Sequence, residues 1–451
     1  MKRPNIIVFF TDQQRWDTCG IHGNPLNLTP NFDRLATAGT HARHAFTCQP
    51  VCGPARSCMQ TGRYATSTGC FRNGIGLPPG AATLARHFRS GGYSTGYIGK
   101  WHLAGDGSAG PVEPENRGGY EHWLAANALE VVSDAYDCRV YDANKEEVRL
   151  PGYRVDALTD AAIRHVSASA SSGQPFFLFL SFLEPHHQNH RDDYPAPDGY
   201  AERYAGRWMP TDLAALGGSA VQHIGGYFGM VKRLDEAFGR LVDTLRSLQL
   251  LDDTIVVFTS DHGCHFKTRN TEYKRSIHES SIRVPLLFHG PGFMGGGDVG
   301  QLVSLIDLPP TLLDAAGLPV PAEMQGRSLM GLLRGNVTDW PEEVFVQTSE
   351  FALGRGIRTS RWKYGVTAPG VDAWENAAAS CYEEQYLYDL KADPYELTNL
   401  AGYESHRGVA DRLKQRLLAR MAEAGEAIPE IRPAASTTDG QRRVLPEEIN
   451  Q

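Results

Sequence analysis

The sequence predicts an α/β fold, with a large, mixed, mostly parallel sheet sandwiched by helices and a smaller antiparallel sheet plus helix after it. Three observations point there. Short, continuously apolar runs at residues 5–10, 176–183 and 254–258 read as strands buried on both faces. Stretches of helical periodicity lie between them, as crossovers between parallel strands require. Each run also ends in polar residues able to do chemistry, and the carboxyl ends of such strands form the edge where open α/β sheets bind ligands.

Bulk properties narrow the class. The 451 residues suit one large domain with an appendage, and 41% hydrophobic with 10% aromatic residues marks a folded, globular chain. A net charge of −8 argues against nucleic acid as a partner and against a long polyanion. The apolar run 6–10 is too short for a signal peptide or a membrane span, so the expected setting is cytoplasmic, with no membrane partner. Eight cysteines do not make a small disulfide framework in so long a chain. Cys48, Cys52, Cys58 and Cys70 crowd together but offer no Cys-x-x-Cys pair, which weighs against zinc. A homo-oligomer stays open.

Taken in order, the first run delivers Thr11-Asp12-Gln13, and an Asp just past such a strand is a candidate metal ligand. Pro30 opens a helix that Gly39 closes. Gly53 and Pro54 suit a second helix start, which puts Cys52 where free amides and the dipole favour an anion. A helical stretch at 84–89 ends at Gly91-Gly92, and a strand at 93–98 delivers Lys100 and His102, two apart and so on one face. Residues 104–150, rich in Gly, Asn, Asp and Glu, are expected to form surface loops along a cleft wall.

A helix at 156–169 leads to the run 176–183, which ends in Glu184-Pro185-His186-His187-Gln188-Asn189-His190. One more catalytic histidine is favoured there over a metal cluster. Residues 191–217 read as a loop insertion near the active face, and 220–248 as a long helix with Tyr227, Val231, Leu234, Phe238 and Leu241 on one side. The run 254–258 then delivers Asp261 and His262, repeating the pattern of Asp12. Lys274 follows in a polar loop, ahead of a strand at 286–289 and a helix at 305–316. A composition shift near 335–342 marks a boundary, giving a catalytic unit 1–340 and a C-terminal unit 341–451. Beyond it, residues 343–348, 356–359, 362–366 and 386–390 read as short antiparallel strands, 404–424 as a helix, and the stretch from about Pro433 as a loose polar tail.

Four strand ends and one helix start thus offer Asp12, Lys100 with His102, His186, Asp261 with His262, and Cys52. Parallel strands with helical crossovers bring all their carboxyl ends to one edge, so these distant residues can converge.

The stretch Cys52-Gly53-Pro54-Ala55-Arg56, followed by Thr61-Gly62-Arg63, resembles the signature of the type I sulfatases of the alkaline phosphatase superfamily. In that family a maturation enzyme, the formylglycine-generating enzyme, oxidises the cysteine to formylglycine (3-oxoalanine). The resemblance extends over residues 5–13, 99–102, Pro185-His186, 259–263, Lys274, Glu279 and Arg283-Val284-Pro285, and into the tail region at 358–364 and 387–400. It implies an alkaline-phosphatase-like sheet and hydrolysis of a sulfate ester on a small substrate, by default a sugar or small oligosaccharide. It further implies that Asp12, Gln13, Asp261, His262 and the modified Cys52 hold one divalent cation. Hydrated formylglycine would then be the nucleophile, oriented by Arg56. Lys100 and Lys274 would bind the sulfate oxygens, His186 with Lys274 would protonate the leaving alcohol, and His102 would deprotonate the second hydroxyl of the diol.

Two positions depart from the family pattern. Many sulfatases carry Asp where this chain has Gln13, and Asn where it has His262. Oxygen ligands put Ca²⁺ first, and the imidazole moves weight toward Mn²⁺, with Mg²⁺ as a further candidate. The same two residues occur among relatives that hydrolyse phosphonate monoesters and phosphodiesters, which is the alternative reading. A binding protein on the same scaffold is disfavoured, since no member of the constellation is replaced by an inert residue. Candidate substrate contacts beside the motifs are Arg15, Arg72, His187, Asn189, His190 and His265.

Overall fold

The computed structural model of the chain describes residues 3–437, 444 and 446–449. Its main sheet has eleven strands. Across it run Gly297–Ser304, Thr40–Phe46, Leu286–His289, Thr254–Ser260, Asn5–Thr11, Phe176–Ser181, Ser94–Lys100, His122–Ala126, Cys138–Tyr141 and Glu147–Leu150, with the short strand Arg283–Val284 pairing off Thr40–Phe46. The centre is parallel: Ile7 lies beside Leu178 on one side and Val256 on the other. Leu286–His289 pairs antiparallel with both of its neighbours, which makes the sheet mixed.

The unbroken apolar runs have a simple cause. Ile6, Val8 and Phe10 face one layer, where they pack with Leu84, Phe88, Leu308 and Leu312. Ile7 and Phe9 face the other, with Phe32, Leu158, Leu234 and Phe238 from the helices Pro30–Ala38, Arg154–Ala170 and Ala220–Ser247. A strand covered on both faces has no use for alternation.

A second sheet follows, in the order Glu343–Thr348, Gly354–Thr359, Trp362–Thr367, Cys381–Asp389 and Glu430–Arg432. Its pairs are antiparallel except the last. The helix Arg407–Glu423 covers one face through Leu413, Leu417 and Met421, packed on Ile357, Trp362 and Tyr364. Val344 and Val346 pack with Phe46, Ile277 and Ile282 of the larger unit. Buried Glu279 accepts Lys363 at 2.9 Å and Arg358 at 3.3 Å, which joins the loop after Lys274 to the small sheet.

Three expectations are corrected. Residues 104–150 are not only loops: His122–Ala126, Cys138–Tyr141 and Glu147–Leu150 extend the main sheet, with Trp123, Ala125 and Val140 buried. Polar composition hid them because the last two are short and lie at the sheet's edge. Strands Thr40–Phe46 and Gly297–Ser304 were not expected either, since His, Arg, Gly and Gln break their apolar pattern. The tail is partly packed: Thr437 bridges to Tyr403, and Ile449 is buried in the C-terminal core. Residues 438–443, 445 and 450–451 of that tail lie outside the described residues.

Candidate active site

The helix Cys52–Thr61 begins with the cysteine itself, after Val51 in extended conformation, and ends at Gly62 with a φ of 69°. All ten of its residues are buried, so Cys52 is a helix N-terminus presented to the interior rather than to solvent. The Cys52 sulfur lies 3.5 Å from Asp12 Oδ1, 3.3 Å from His262 Nε2 and 2.8 Å from Lys274 Nζ. Burial pushes its pKa up, but Lys100, Lys274, His262 and His102 more than reverse this and leave it well below that of an ordinary thiol.

Ligand atoms of Asp12, Cys52, Asp261 and His262 all lie within 4.8 Å of one another. Their surroundings fit a cation. His262 Nδ1 sits 2.9 Å from the Gly263 carbonyl, which can only accept, so Nδ1 donates there and Nε2 is the ring nitrogen turned toward Cys52. Gln13 Nε2 donates to Tyr194 at 3.2 Å, whereas Gln13 Oε1 and Asp261 Oδ2 are buried without a hydrogen-bond partner. Gln13 has a φ of 67°, and its amide donates to Asp261 Oδ1 at 3.0 Å. Burial and the nearby Asp12 raise Asp261 to about 6, against His262 and Arg56. Two acids crowded this closely call for positive charge between them.

Fixed cations surround the same point. Arg56 donates to Asp12 at 3.0 Å, to Ser181 Oγ at 2.7 Å and to the Lys100 carbonyl at 2.8 Å, so it is locked in place. Lys100 Nζ lies 2.8 Å from Asp12 and 3.0 Å from Glu130. Asp12 is disfavoured as an anion by burial and by Cys52, but Lys100, His186 and Arg56 outweigh both and hold its pKa below the usual carboxylate range. His186 Nδ1 donates to the His187 carbonyl at 2.6 Å, which leaves Nε2 to accept from Lys274 at 3.1 Å. Burial and then Lys274 lower the His186 pKa, which disfavours the charged ring.

The remaining sequence candidates divide. Arg15 is buried and its donors are spent on Asp17, Asp212 and the Cys264 carbonyl, so it braces the loop after Asp12 instead of facing the cleft. His265 is likewise buried, with Nε2 2.9 Å from the carbonyl of Lys274, and positions that lysine's backbone. His187 stacks on His186 with ring centroids 4.3 Å apart. Asn189 and His190 are exposed, and His190 lies 3.5 Å from Asp134. Arg72 lies over the ring of Trp374.

Sequence reasoning missed Glu130, Ser181 and Asn73. Glu130 is in the polar segment read as loop, and its acid partner role depends on the unexpected strand His122–Ala126 that precedes it. Ser181 ends a strand that was expected, and the strand-end rule could have found it. Asn73 accepts the Gly53 amide at 2.8 Å from a loop without any pattern.

An anion beside Cys52 meets ammonium groups from Lys100 and Lys274 at a buried helix start, with a carboxylate pair arranged for a cation. This defines a hydrolase of esters of a tetrahedral oxyanion on an alkaline-phosphatase-like fold. Comparison with known proteins makes the class specific. Residues 4–318 match the family model described as Sulfatase, and residues 271–423 match N-sulphoglucosamine sulphohydrolase, C-terminal. An ulvan-active sulfatase of Formosa agariphila is 30% identical over 94% of this chain and 82% of its own. An N-acetylglucosamine-6-O-sulfatase of Bacteroides thetaiotaomicron is 26% identical over 92% of this chain and 86% of its own. A solved structure in complex with its substrate D-glucosamine-2-N,6-O-disulfate superposes with a TM-score of 0.77 at 25% identity, covering 94% of this chain and 98% of that one. The chain belongs to the sulfatase family of the alkaline phosphatase superfamily and is a sulfuric ester hydrolase. Among the described residues, no helix is long and apolar enough to cross a membrane.

Proposed function

We propose that this chain hydrolyses a sulfate ester on a sugar or small oligosaccharide through a formylglycine made from Cys52. The observation that carries the proposal is the position of Cys52, with Lys274 at 2.8 Å, His262 at 3.3 Å and Asp12 at 3.5 Å around its side chain. Asp12, Gln13, Asp261 and His262 would hold one divalent cation together with residue 52, and oxygen ligands put Ca²⁺ first, with Mg²⁺ or Mn²⁺ as alternatives. When bound, the cation supplies Lewis-acid activation of the hydrated formylglycine.

The chain's own residues do the rest. Lys100 and Lys274 receive the sulfate oxygens and offset charge as the S–O bond breaks. Lys274 and Nε2 of His186 form a short proton path, 3.1 Å long, toward the leaving alcohol. Arg56, on the same helix as Cys52 and fixed by Asp12 and Ser181, would orient the modified residue 52. His102 would act as the base toward residue 52 once it is modified. The sugar assignment draws on the relatives' names, an ulvan-active and an N-acetylglucosamine-6-O-sulfatase, and on the disulfated glucosamine bound in the related structure. Those names favour sulfate over phosphonate esters.

The test is peptide mass spectrometry of residue 52 beside sulfate release. The modification lowers the residue mass by about 18 Da, sulfur leaving and oxygen entering with loss of two hydrogens. Sulfate release that follows the modified fraction and disappears in Cys52→Ala supports the reading. Fully modified, metal-loaded protein that cleaves aryl phosphonates faster than every sulfate ester overturns it.

A further inference from the structure

We propose that Trp374 and Arg72 form a subsite for a sugar ring carrying a second anionic group, next to the ester that is cleaved. The inference rests on the sulfate-ester reading above and names the kind of substrate that site takes. Trp374 is 41% exposed, an unusual state for so large an apolar side chain. It is not on a loose loop. Its amide donates to Asp372 at 2.8 Å, the adjacent Ala373 is buried in the C-terminal core, and the Ala373 carbonyl accepts the amide of Glu350 at 3.0 Å.

The indole meets the guanidinium of Arg72, whose carbon lies 5.0 Å from the ring centre. Arg72 donates to the Asn73 carbonyl at 2.9 Å, and its Nε is buried without a partner. Among the described residues no carboxylate pairs with it. A stacked guanidinium with unspent donors and no counter-ion matches a sulfate or carboxylate oxygen pair. The partly exposed indole beside it offers an apolar, rigid surface of the kind that carbohydrate C–H faces cover.

Position ties this pair to the reaction. Asn73 accepts the Gly53 amide at 2.8 Å, one residue from Cys52. The Asn73 amide donates to Glu350 at 2.7 Å, and Glu350 in turn holds Arg275 at 2.6 Å, one residue from Lys274. The loop after Glu343–Thr348 thus grips, through Glu350, the segments carrying Cys52 and Lys274, and the Glu350 amide ties it to Ala373 on the loop after Trp362–Thr367 that carries Trp374. Arg72 is thus one residue from the side chain that holds the backbone next to Cys52.

The experiment uses full-length, modified, metal-loaded protein and three probes: glucosamine 6-sulfate, glucosamine-2-N,6-O-disulfate, and 6-sulfated glucosamine joined to a uronic acid. The reading is the ratio of kcat/KM for each doubly anionic probe to that for the singly sulfated sugar. Trp374→Ala and Arg72→Gln are expected to lower at least one ratio about tenfold, with Trp374→Phe and Arg72→Lys intermediate. Which probe responds tells sulfate from carboxylate. Ratios unchanged in both variants overturn the subsite. Calorimetric binding of the same probes to Cys52→Ala protein separates the two levels of the argument. Weaker binding on adding Trp374→Ala there supports the subsite even if no probe is turned over, whereas equal binding overturns it.

Discussion

Glu130 holds the Lys100 ammonium at 3.0 Å in full burial, and that ammonium also donates to Asp12 at 2.8 Å. Two acids thus share one lysine. Burial resists the Glu130 charge, but Lys100 and then His102 and His186 hold its pKa down at about 2. Glu130 also lies 3.8 Å from His102 Nδ1, and both Glu130 Oε2 and His102 Nδ1 lack other partners. It acts through these two neighbours as a positioning residue. Glu130→Gln keeps the shape and removes the charge, so kcat is expected to fall about 10- to 100-fold. Bound metal, measured by elemental mass spectrometry, should stay at one per chain, and the melting temperature should be little changed. A merely space-filling Glu130 would leave kcat untouched in this variant.

Much of this site was legible because chemistry and topology coincide. Asp12, Lys100 and Asp261 each follow an apolar run, and strands buried on both faces announce themselves. Residues that act from irregular backbone do not. Glu130 belongs to a four-residue helix in a polar stretch, and its neighbour strands Cys138–Tyr141 and Glu147–Leu150 are four residues each. Arg15 shows the opposite error: a charged residue beside a metal-ligand motif looked free, yet Asp212, almost two hundred residues away in sequence, neutralises it. Long-range ion pairs leave no local pattern to read.

The cation site makes a separable prediction. Gln13 Oε1 is buried without a hydrogen-bond partner, and Asp261 Oδ2 has only the Arg56 guanidinium at 3.3 Å. Gln13→Leu removes one ligand and leaves the carboxylates less screened, so divalent-cation affinity should fall at least about tenfold. Gln13→Glu adds a negative oxygen at the same place and should tighten Ca²⁺ relative to wild type. Isothermal titration of the metal-free protein with Ca²⁺, Mg²⁺ and Mn²⁺ in turn reads both effects. Equal affinities in the three proteins would remove Gln13 from the ligand set.

A pH effect on stability should come from outside the site. Asp307 is buried and accepts the amides of Ser304 and Arg327, each at 2.8 Å. Burial dominates over these hydrogen bonds and raises the carboxyl to about 6. The folded chain therefore holds this proton more tightly than the unfolded chain does. The contribution is fully present below the unfolded pKa near 4 and is lost as pH rises through 6. Asp307→Asn cannot titrate, so the wild-type advantage over it should shrink by about 1–3 kcal/mol between pH 4 and pH 7. Urea denaturation of both proteins at the two pH values measures the difference. A gap that widens with pH would contradict the burial argument.

Gly99 is where the fold and the site constrain one another most tightly. It precedes Lys100 at the end of the strand Ser94–Lys100, with a φ of 108° that L side chains rarely adopt. A methyl group there would overlap the carbonyl oxygen of Ser181 on the paired strand, so backbone would have to move. Ser181 is also a partner of Arg56, and displacement would pull apart Lys100, Arg56 and the acid they share. Gly99→Ala is therefore expected to cost about 3 kcal/mol or more in urea denaturation, through strain and overpacking together. The fraction that folds should show lower kcat, since Lys100 sits on the shifted backbone. Gly107→Ala is the control: its φ is ordinary and nothing lies near a Cβ at that position, so its effect should stay within about 0.5 kcal/mol. Were Gly99→Ala as mild as Gly107→Ala, the close strand contact could not be what aims Lys100 at Asp12.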